Sequence, residues 1–469
     1  MSVSGWSTFA SGSSTPCKLH RGFWFRSTSC WVTLSGFVLN VRSAGTQVTD
    51  LLIFDVRDVL FVEFERGRRL RITWLPGAYS SEVGRDSSYC RSSGKFRMVT
   101  LSFDSAEIAG ELRSLLLSIA RPDLTNEAGS QGPARPLLVI VNPYGGRMRG
   151  WWVWTMKFRP LLNRAGRAYK EITTSGRGHI SAICENLEIS SFSGVAIVGG
   201  DGSFAEAVNG LLANKNSRAF HLPLGLVPAG SSNALAKARG IFSAELAAFL
   251  IIKGAVCNLD LIKIEQLPAA HAEEAVPHAE EKVPAYAICA VSLGFLSDVN
   301  ALAQGPCMRR FFGPARYGFC GALRVCFGGS IASYKARVTV QEGLTASPRS
   351  GPTTGSWDVF SPELWSRGPK RSKIAGPGLV LVTHQNSMRL LHFLSRFARE
   401  RLEDTLVEGS FQISSRIDII QIEPIGDNSV PFSIDGELYK CRDGLQLSVK
   451  KDACMMFGVP TQTEQLNFT

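Results

Sequence analysis

The stretch GVAIVGGDGSFAEAVNGLL, residues 194–212, decides how the chain is read. Its first half, GVAIV, is a short continuous apolar run, the pattern of a strand covered on both faces. Its second half, SFAEAVNGLL, places apolar residues at helical spacing. Between them stand Gly199, Gly200, Asp201 and Gly202. The neighbours repeat this rhythm. PLLVIVNP (136–143), AYKEITTS (168–175) and LPLGLVP (222–228) read as strands. A Trp-rich stretch after residue 146, GHISAICENLEI (178–189) and SSNALAKARG (231–240) read as helices. Strands alternating with helices predict a doubly wound α/β domain over 136–255.

Three loops follow the ends of these strands: NPYGG (142–146), GGDG (199–202) and PAGSSN (228–233). Open α/β sheets bind ligands at the carboxyl ends of their strands. Each loop leads towards a helix start, where free N–H groups and the helix dipole favour anions. Glycine lets the backbone approach a phosphate closely. Together the loops predict a phosphate-rich ligand, most simply a nucleotide. There is no GxxxxGK[ST], and GGDGSFAEAVNG lacks the third glycine of the dinucleotide fingerprint. Asp201 is unwelcome among phosphate-binding amides unless it has a task. It holds Mg²⁺, or accepts a proton from an attacking hydroxyl, or caps the helix that follows.

The rest of the chain frames this domain. At 45% hydrophobic and 19% charged residues, the 469-residue chain can bury a large core, which excludes a disordered class. A net charge of +11 suits an acidic partner. Eleven cysteines without a CxxC or metal spacing predict reduced thiols and a cytoplasmic setting. No apolar run reaches the roughly 18 residues of a spanning helix, so membrane contact is expected to be peripheral. Charge alone speaks for nucleic acid, so no nucleic-acid partner is expected. Nothing in the sequence specifies an oligomeric state.

Residues 1–29 are expected to be a flexible tail; the first 49 residues lack any acid and hold ten serines, which is also a transit-peptide composition. Residues 30–120 read as short strands closed by a helix at 105–120 that starts with Ser105 as its cap, a small β-barrel of the pleckstrin-homology type. Residues 121–135 are a Pro/Gly linker. Residues 256–460 read as an antiparallel β-rich domain and 461–469 as a tail. Two inserts interrupt that domain: a tandem HAEEAVP-HAEEKVP (271–284), and 345–378, expected to be mobile.

LLVIVNPYGG, VGGDGSFAEAVNGLL, LPLGLVPAGSSNALA and FSIDGELY resemble, in order, the diacylglycerol-kinase-type catalytic domain of lipid kinases, in its sphingolipid branch. The resemblance covers about 136–458 and implies ATP as phosphate donor with Mg²⁺. It implies that Asn142, Gly145 and Gly146 shape the first nucleotide loop and that Thr174 touches phosphate. Gly200 and Gly202 match the signature loop, with Asp201 at the general-base position. Glu206 and Asn209 match polar residues of the next helix. Gly230, Ser231 and Asn233 would complete the nucleotide pocket, with Arg310 and Arg316 on the phosphates. Asp298 would recognise the lipid head group; its plain reading is a helix N-cap. Asp435 and Glu437 would lie near Mg²⁺ and the nucleotide; their plain reading is an Asp-Gly hairpin turn.

The implied reaction is transfer of the γ-phosphoryl group of ATP to the primary hydroxyl of a sphingolipid. Asn233 and Asp298 favour a sphingoid base. GGDG and GPARYGF favour ceramide, the alternative substrate. Ser232 replaces the family's usual glycine, and the chain between WSRGPK and GPGLVLV is shorter than the family pattern. A catalytically inactive, ceramide-kinase-like lipid-binding protein is therefore the third reading. With a pleckstrin-like module, the expected setting is cytoplasmic and peripheral on an anionic membrane surface.

Overall fold

A computed structural model of the chain describes residues 14–20, 27–44, 50–76, 78, 95–121, 135–145, 148–267, 283–312, 315–327, 334–341, 349–360, 378–383, 411–414, 418–425, 430–441 and 444–458. The linker beyond residue 121 up to 134, the tandem repeat up to residue 282 and the terminal segments 1–13 and 459–469 lie outside the described residues. The chain forms two compact units. One comprises Met1–Pro136, Met156–Ala168 and Phe242–Ala255; the other comprises Leu137–Thr155, Tyr169–Ile241 and Val256–Thr469. Among the described residues no helix is long and apolar enough to cross a membrane.

In the first unit seven strands form one antiparallel sheet. They are β1 (Thr15–His20), β2 (Ser27–Ser35), β3 (Val38–Ser43), β4 (Asp50–Asp55), β5 (Val59–Phe64), β6 (Arg69–Trp74) and β7 (Arg97–Ser102). Their order is β4-β3-β2-β1-β7-β6-β5. The stretch 30–41 is a hairpin, because Gly36 takes φ 56° and turns the chain between β2 and β3. Part of the expected tail is not tail. Cys17 and Leu19 alternate inward, and β1 pairs with both β2 and β7. Helix α1 (Ala106–Ala120) is capped as expected, with Ser105 Oγ accepting from Ile108 N at 3.2 Å. It buries Ala109, Leu112, Leu116 and Ala120 in the same core as the sheet. No pairing between the outer strands β4 and β5 closes a barrel among the described residues.

The second unit opens with four parallel strands: β8 (Leu137–Val141), β9 (Tyr169–Thr173), β10 (Gly194–Gly199) and β11 (Leu224–Pro228). Their order is β9-β8-β10-β11. The chain winds one way from β8 to β9 and the other way from β10 to β11, so the strand order reverses between β8 and β10. That reversal leaves a crevice at the strand ends. β8 and β10 are buried along their whole length, as their unbroken apolar runs require.

The sheet does not stop at residue 255. β12 (Val256–Gln266) pairs antiparallel with β22 (Leu445–Phe457), which also lies parallel to β11 at Leu224↔Met456. The α/β and β-rich portions, read as separate domains, thus share one sheet. The long strand LQLSVKKDACMMF allows this, being apolar at both ends. Leu445 and Leu447 enter the β-rich core, while the ring of Phe457 packs on Gly194, where a Cβ would come within 2.7 Å. That core also holds Ile262, Val291, Leu293, Ile420, Phe432 and Ile434.

The stretch 345–378, expected to be mobile, contains a strand. β16 (Arg349–Phe360) pairs on different segments with β14 (Ala290–Leu293), β15 (Tyr334–Gln341) and β17 (Gly378–Thr383). Its sequence, RSGPTTGSWDVF, has no apolar alternation in its first part. The ladder comes from its neighbours.

Candidate functional site

The three glycine loops meet at the strand ends. Gly199 O accepts from Ala229 N at 2.7 Å and from Gly230 N at 3.0 Å. The Cα atoms of Gly200 and Gly230 face each other so closely that a Cβ on Gly230 would sit 2.5 Å from Gly200 Cα. Only glycine fits this crossing. Asn142 Nδ2 donates to Ser203 Oγ at 2.8 Å, tying the first loop to the helix after the second, and Asn142 Oδ1 accepts from Tyr144 N at 3.0 Å. Asn233 closes the third loop: it takes φ 50°, and its Oδ1 accepts from Gly230 N at 2.9 Å. Asparagine tolerates this left-handed conformation better than most side chains. Gly145 lies in ordinary contact with Asn142, 3.6 Å from a built Cβ. Gly146 lies outside the described residues.

Asp201 is the first residue of helix α5 (Asp201–Leu212), which follows α2 (Gly150–Val153), α3 (Arg159–Arg164) and α4 (His179–Glu185). Its carboxylate does not cap that helix. Oδ2 accepts from Ala234 N at 2.9 Å and Oδ1 from Leu235 N at 3.1 Å, at the start of α6 (Ala234–Ala238). One acid thus pins the second loop to the third. The start of α5 has no side-chain cap, which leaves its amides for an anion. Burial pushes the Asp201 carboxyl above the usual range, against the amides of Ala234, Leu235 and its own residue and the charge of Lys237, which lower it.

Two more carboxyls serve main-chain amides. Asp435 Oδ1 accepts from Cys289 N at 2.7 Å and Ala290 N at 3.1 Å, and Oδ2 from Ile288 N at 2.8 Å. Asp435 and Gly436, with φ 51° and 86°, form the two-residue turn between β20 (Val430–Ile434) and β21 (Glu437–Cys441). That is the hairpin its Asp-Gly pair signals. Burial pushes the Asp435 carboxyl up to about 6, with the charge of Asp201 adding to the rise. Glu206, on α5, receives the amides of Gly178 and Ile180, and burial raises its carboxyl too. Asn209 is structural: its Oδ1 accepts from Tyr286 N at 3.0 Å.

Thr174 is buried at the end of β9, and its N–H donates to Val141 O at 2.9 Å. In the loop that follows, Arg177 pairs with Glu437 at 2.5 Å, so the hairpin reaches the first loops. Arg316, the first residue of a helix running to Phe327, is buried. It donates from Nη1 to Ser231 Oγ at 3.3 Å and from Nη2 to Tyr317 Oη at 2.8 Å. Arg310 lies in the preceding helix, Pro306–Phe312, and its side chain lies outside the described residues. Asp298 is not an N-cap, since Gly294 holds that position in the helix Phe295–Ala303. Its Oδ2 instead accepts from Arg324 Nη2 at 3.1 Å.

The fit to the expected ligands differs between ATP and the metal. A Cβ at Gly176 or Gly202 would meet nothing within 4 Å, so both backbones border open space. With Arg177, Arg316 and the uncapped α5 start nearby, this donor set suits phosphate. The expected Mg²⁺ ligands suit less well. Both Asp435 oxygens already accept amides, and Glu437 is paired with Arg177. No group of three or more His, Cys, Asp or Glu side chains gathers as metal donors among the described residues. Sequence reading missed Arg177, Ser203 and Arg324. Arg177 alone carried a signal, as a cation between two glycines after a strand.

Residues 136–264 match the family model of the diacylglycerol kinase catalytic domain. The chain is 34% identical over 135 residues to sphingoid long chain base kinase 4 of Schizosaccharomyces pombe, covering 28% of this chain and 30% of that protein. It is 32% identical over 194 residues to sphingoid long-chain bases kinase 1 of Arabidopsis thaliana, covering 41% of this chain and 24% of that protein. It is 26% identical over 222 residues to human ceramide kinase, covering 44% and 38%. In each case the match spans well under half of the relative's length.

Proposed function

We propose that the chain is an ATP-dependent lipid kinase that phosphorylates the primary hydroxyl of a sphingolipid, most simply a sphingoid base. The observation that carries this reading is the clamp at Asp201, which joins the GGDG and PAGSSN loops at the ends of β10 and β11, next to the reversal of strand order between β8 and β10. The names of the relatives, sphingoid-base and ceramide kinases, support the substrate class.

Asn142, Gly145, Gly146, Thr174, Gly200, Gly202, Gly230, Ser231 and Asn233 would hold ATP, with Arg310 and Arg316 on its phosphates. Bound ATP supplies the phosphoryl group. The protein's work is positioning and charge stabilisation, because the transition state of such transfers is loose. Arg316 is fixed by Ser231 and Tyr317 and so presents a preorganised cation. Asp201 would orient the lipid hydroxyl and take its proton, helped by a carboxyl whose proton affinity burial has raised. Glu206 borders the same loops. Mg²⁺ is expected with ATP, but both Asp435 oxygens accept amides and Glu437 Oε2 is paired with Arg177, a poor fit for metal ligands.

Full-length chain given γ-labelled ATP and mixed micelles of sphingosine, ceramide or diacylglycerol tests the proposal. Label in sphingosine is the expected result. Label only in ceramide selects the alternative substrate. Lipid binding with no label in any of the three overturns the kinase reading and favours an inactive, lipid-binding protein.

A further inference from the structure

The Trp-rich stretch after the first loop has no part in the site described above. Trp154 is fully buried and packs edge-on against Tyr169, with ring centroids 5.3 Å apart. The residues around it do the opposite. Tyr144, Met148, Trp151 and Trp152 are 59%, 71%, 46% and 50% exposed, four large apolar side chains within nine residues. Soluble surfaces rarely gather such groups without a partner. The backbone presents them deliberately. Met148 adopts φ 57°, a conformation uncommon for a side chain of its kind, with its N–H bonded to Gly145 O at 3.0 Å.

Their position is fixed against the site. Gly150 lies so close to the first loop that a Cβ there would sit 1.9 Å from Asn142 O. Only glycine permits this approach, and Trp151 and Trp152 follow it directly. The tryptophans are therefore anchored beside the loop that opens the glycine crevice.

The charge of the segment names the occupant. Within the second unit, the segment 137–155 contains Arg147 and Arg149 and no Asp or Glu. Exposed Trp and Tyr with cations and no acids suit the interface of an anionic bilayer, where the ring buries its apolar body and keeps its polar edge wet. An acidic protein or RNA would answer the charge, but gives no reason for Met148 beside two tryptophans.

We propose that Tyr144, Met148, Trp151 and Trp152 form a membrane-docking patch that seats the catalytic crevice on an anionic lipid surface. The choice of bilayer rests on the lipid-kinase reading. The patch uses no residue of the pleckstrin-like sheet in the first unit, which is the expected recruiting module.

Vesicle flotation of the full chain without ATP tests the patch apart from catalysis. Vesicles are phosphatidylcholine alone or with about 30% phosphatidylserine. Wild type is expected to float with the anionic vesicles, and Trp151→Ala/Trp152→Ala to lose about tenfold or more in partitioning. Trp31→Ala, which removes a 41% exposed tryptophan of the first unit, is expected to float as wild type. Trp151→Phe/Trp152→Phe should recover most of the binding, which excludes loss through misfolding. Unchanged flotation of the alanine variant overturns the proposal, as does a wild type that ignores anionic vesicles or binds RNA in their place. Failure of lipid phosphorylation with flotation intact would strike the kinase reading and leave the docking patch standing.

Discussion

Asp201 holds Ala234, not its own helix: the carboxylate of the GGDG loop accepts the Ala234 N–H at 2.9 Å, 33 positions along the chain. Its partner oxygen takes Leu235. The acid is thus a structural clamp, and the proposed chemistry uses the same group. A carboxylate already oriented by two amides needs no reorganisation to meet a hydroxyl.

Asp201→Asn separates the two roles. The variant keeps one acceptor oxygen but turns an NH₂ towards an amide, leaving a buried donor unmet. Stability is expected to fall by about 1–3 kcal/mol, read as a lower denaturation midpoint. Turnover, measured far below that midpoint, is expected to fall by about 10²–10⁴ while ATP still binds. Near-normal turnover would leave Asp201 a clamp and nothing more.

Gly230→Ala tests the crossing of the loops. The new methyl would sit 2.5 Å from Gly200 Cα and 2.8 Å from Asn233 Oδ1, against backbone that cannot step aside. Destabilisation of about 1–3 kcal/mol is expected, with the KM for ATP rising more than that for lipid. Gly202→Ala is the control for the fold, because no atom lies within 4 Å of its built Cβ. It should fold as wild type and still weaken ATP, since the added methyl enters the space assigned to phosphate. A Gly202→Ala enzyme with unchanged ATP affinity would place the nucleotide elsewhere.

Asp435 makes stability depend on pH. Burial pushes its carboxyl up to about 6, above the usual carboxylate range. The native state therefore binds the proton more tightly than the unfolded chain. This group's destabilising contribution is complete above about pH 6 and is relieved as pH falls from there towards about 4. Burial moves Asp201 and Glu206 in the same direction. Relative to Asp435→Asn, the wild type should gain up to about 3 kcal/mol on acidification across that window. The comparison uses the slope of the melting temperature against pH, because the variant also disturbs the Ile288, Cys289 and Ala290 bonds. Parallel slopes would mean that Asp435 titrates normally.

What was legible in the sequence was what local pattern encodes. The unbroken apolar runs of β8 and β10 marked buried parallel strands, and Ser105 marked a helix start. The Asp435-Gly436 pair marked a tight turn. What stayed hidden depended on partners distant in sequence. Nothing near Asp201 announces that its oxygens will serve residues 234 and 235, because that helix begins inside another loop. β16 owes its strand to β14, β15 and β17, and β1 sits in a stretch whose composition matched a tail. The shared sheet was hidden for the same reason. β22 joins its two halves from the far end of the chain.

Asp298 and Arg324 offer the sharpest test of substrate class. Their contact at 3.1 Å already satisfies part of the carboxylate's charge, with both side chains largely buried. If Asp298 reads the amine of a sphingoid base, that amine must share the carboxylate with Arg324. Asp298→Asn would then raise the KM for sphingosine by roughly 10–100-fold, the cost of a charged hydrogen bond, and leave ceramide turnover nearly as it was. If the aspartate only holds Arg324 in place, both substrates should suffer alike, and Arg324→Ala should reproduce the loss. Measuring kcat/KM for the two lipids across both variants distinguishes these cases. A ratio of sphingosine to ceramide that is unmoved in Asp298→Asn removes the aspartate from head-group recognition.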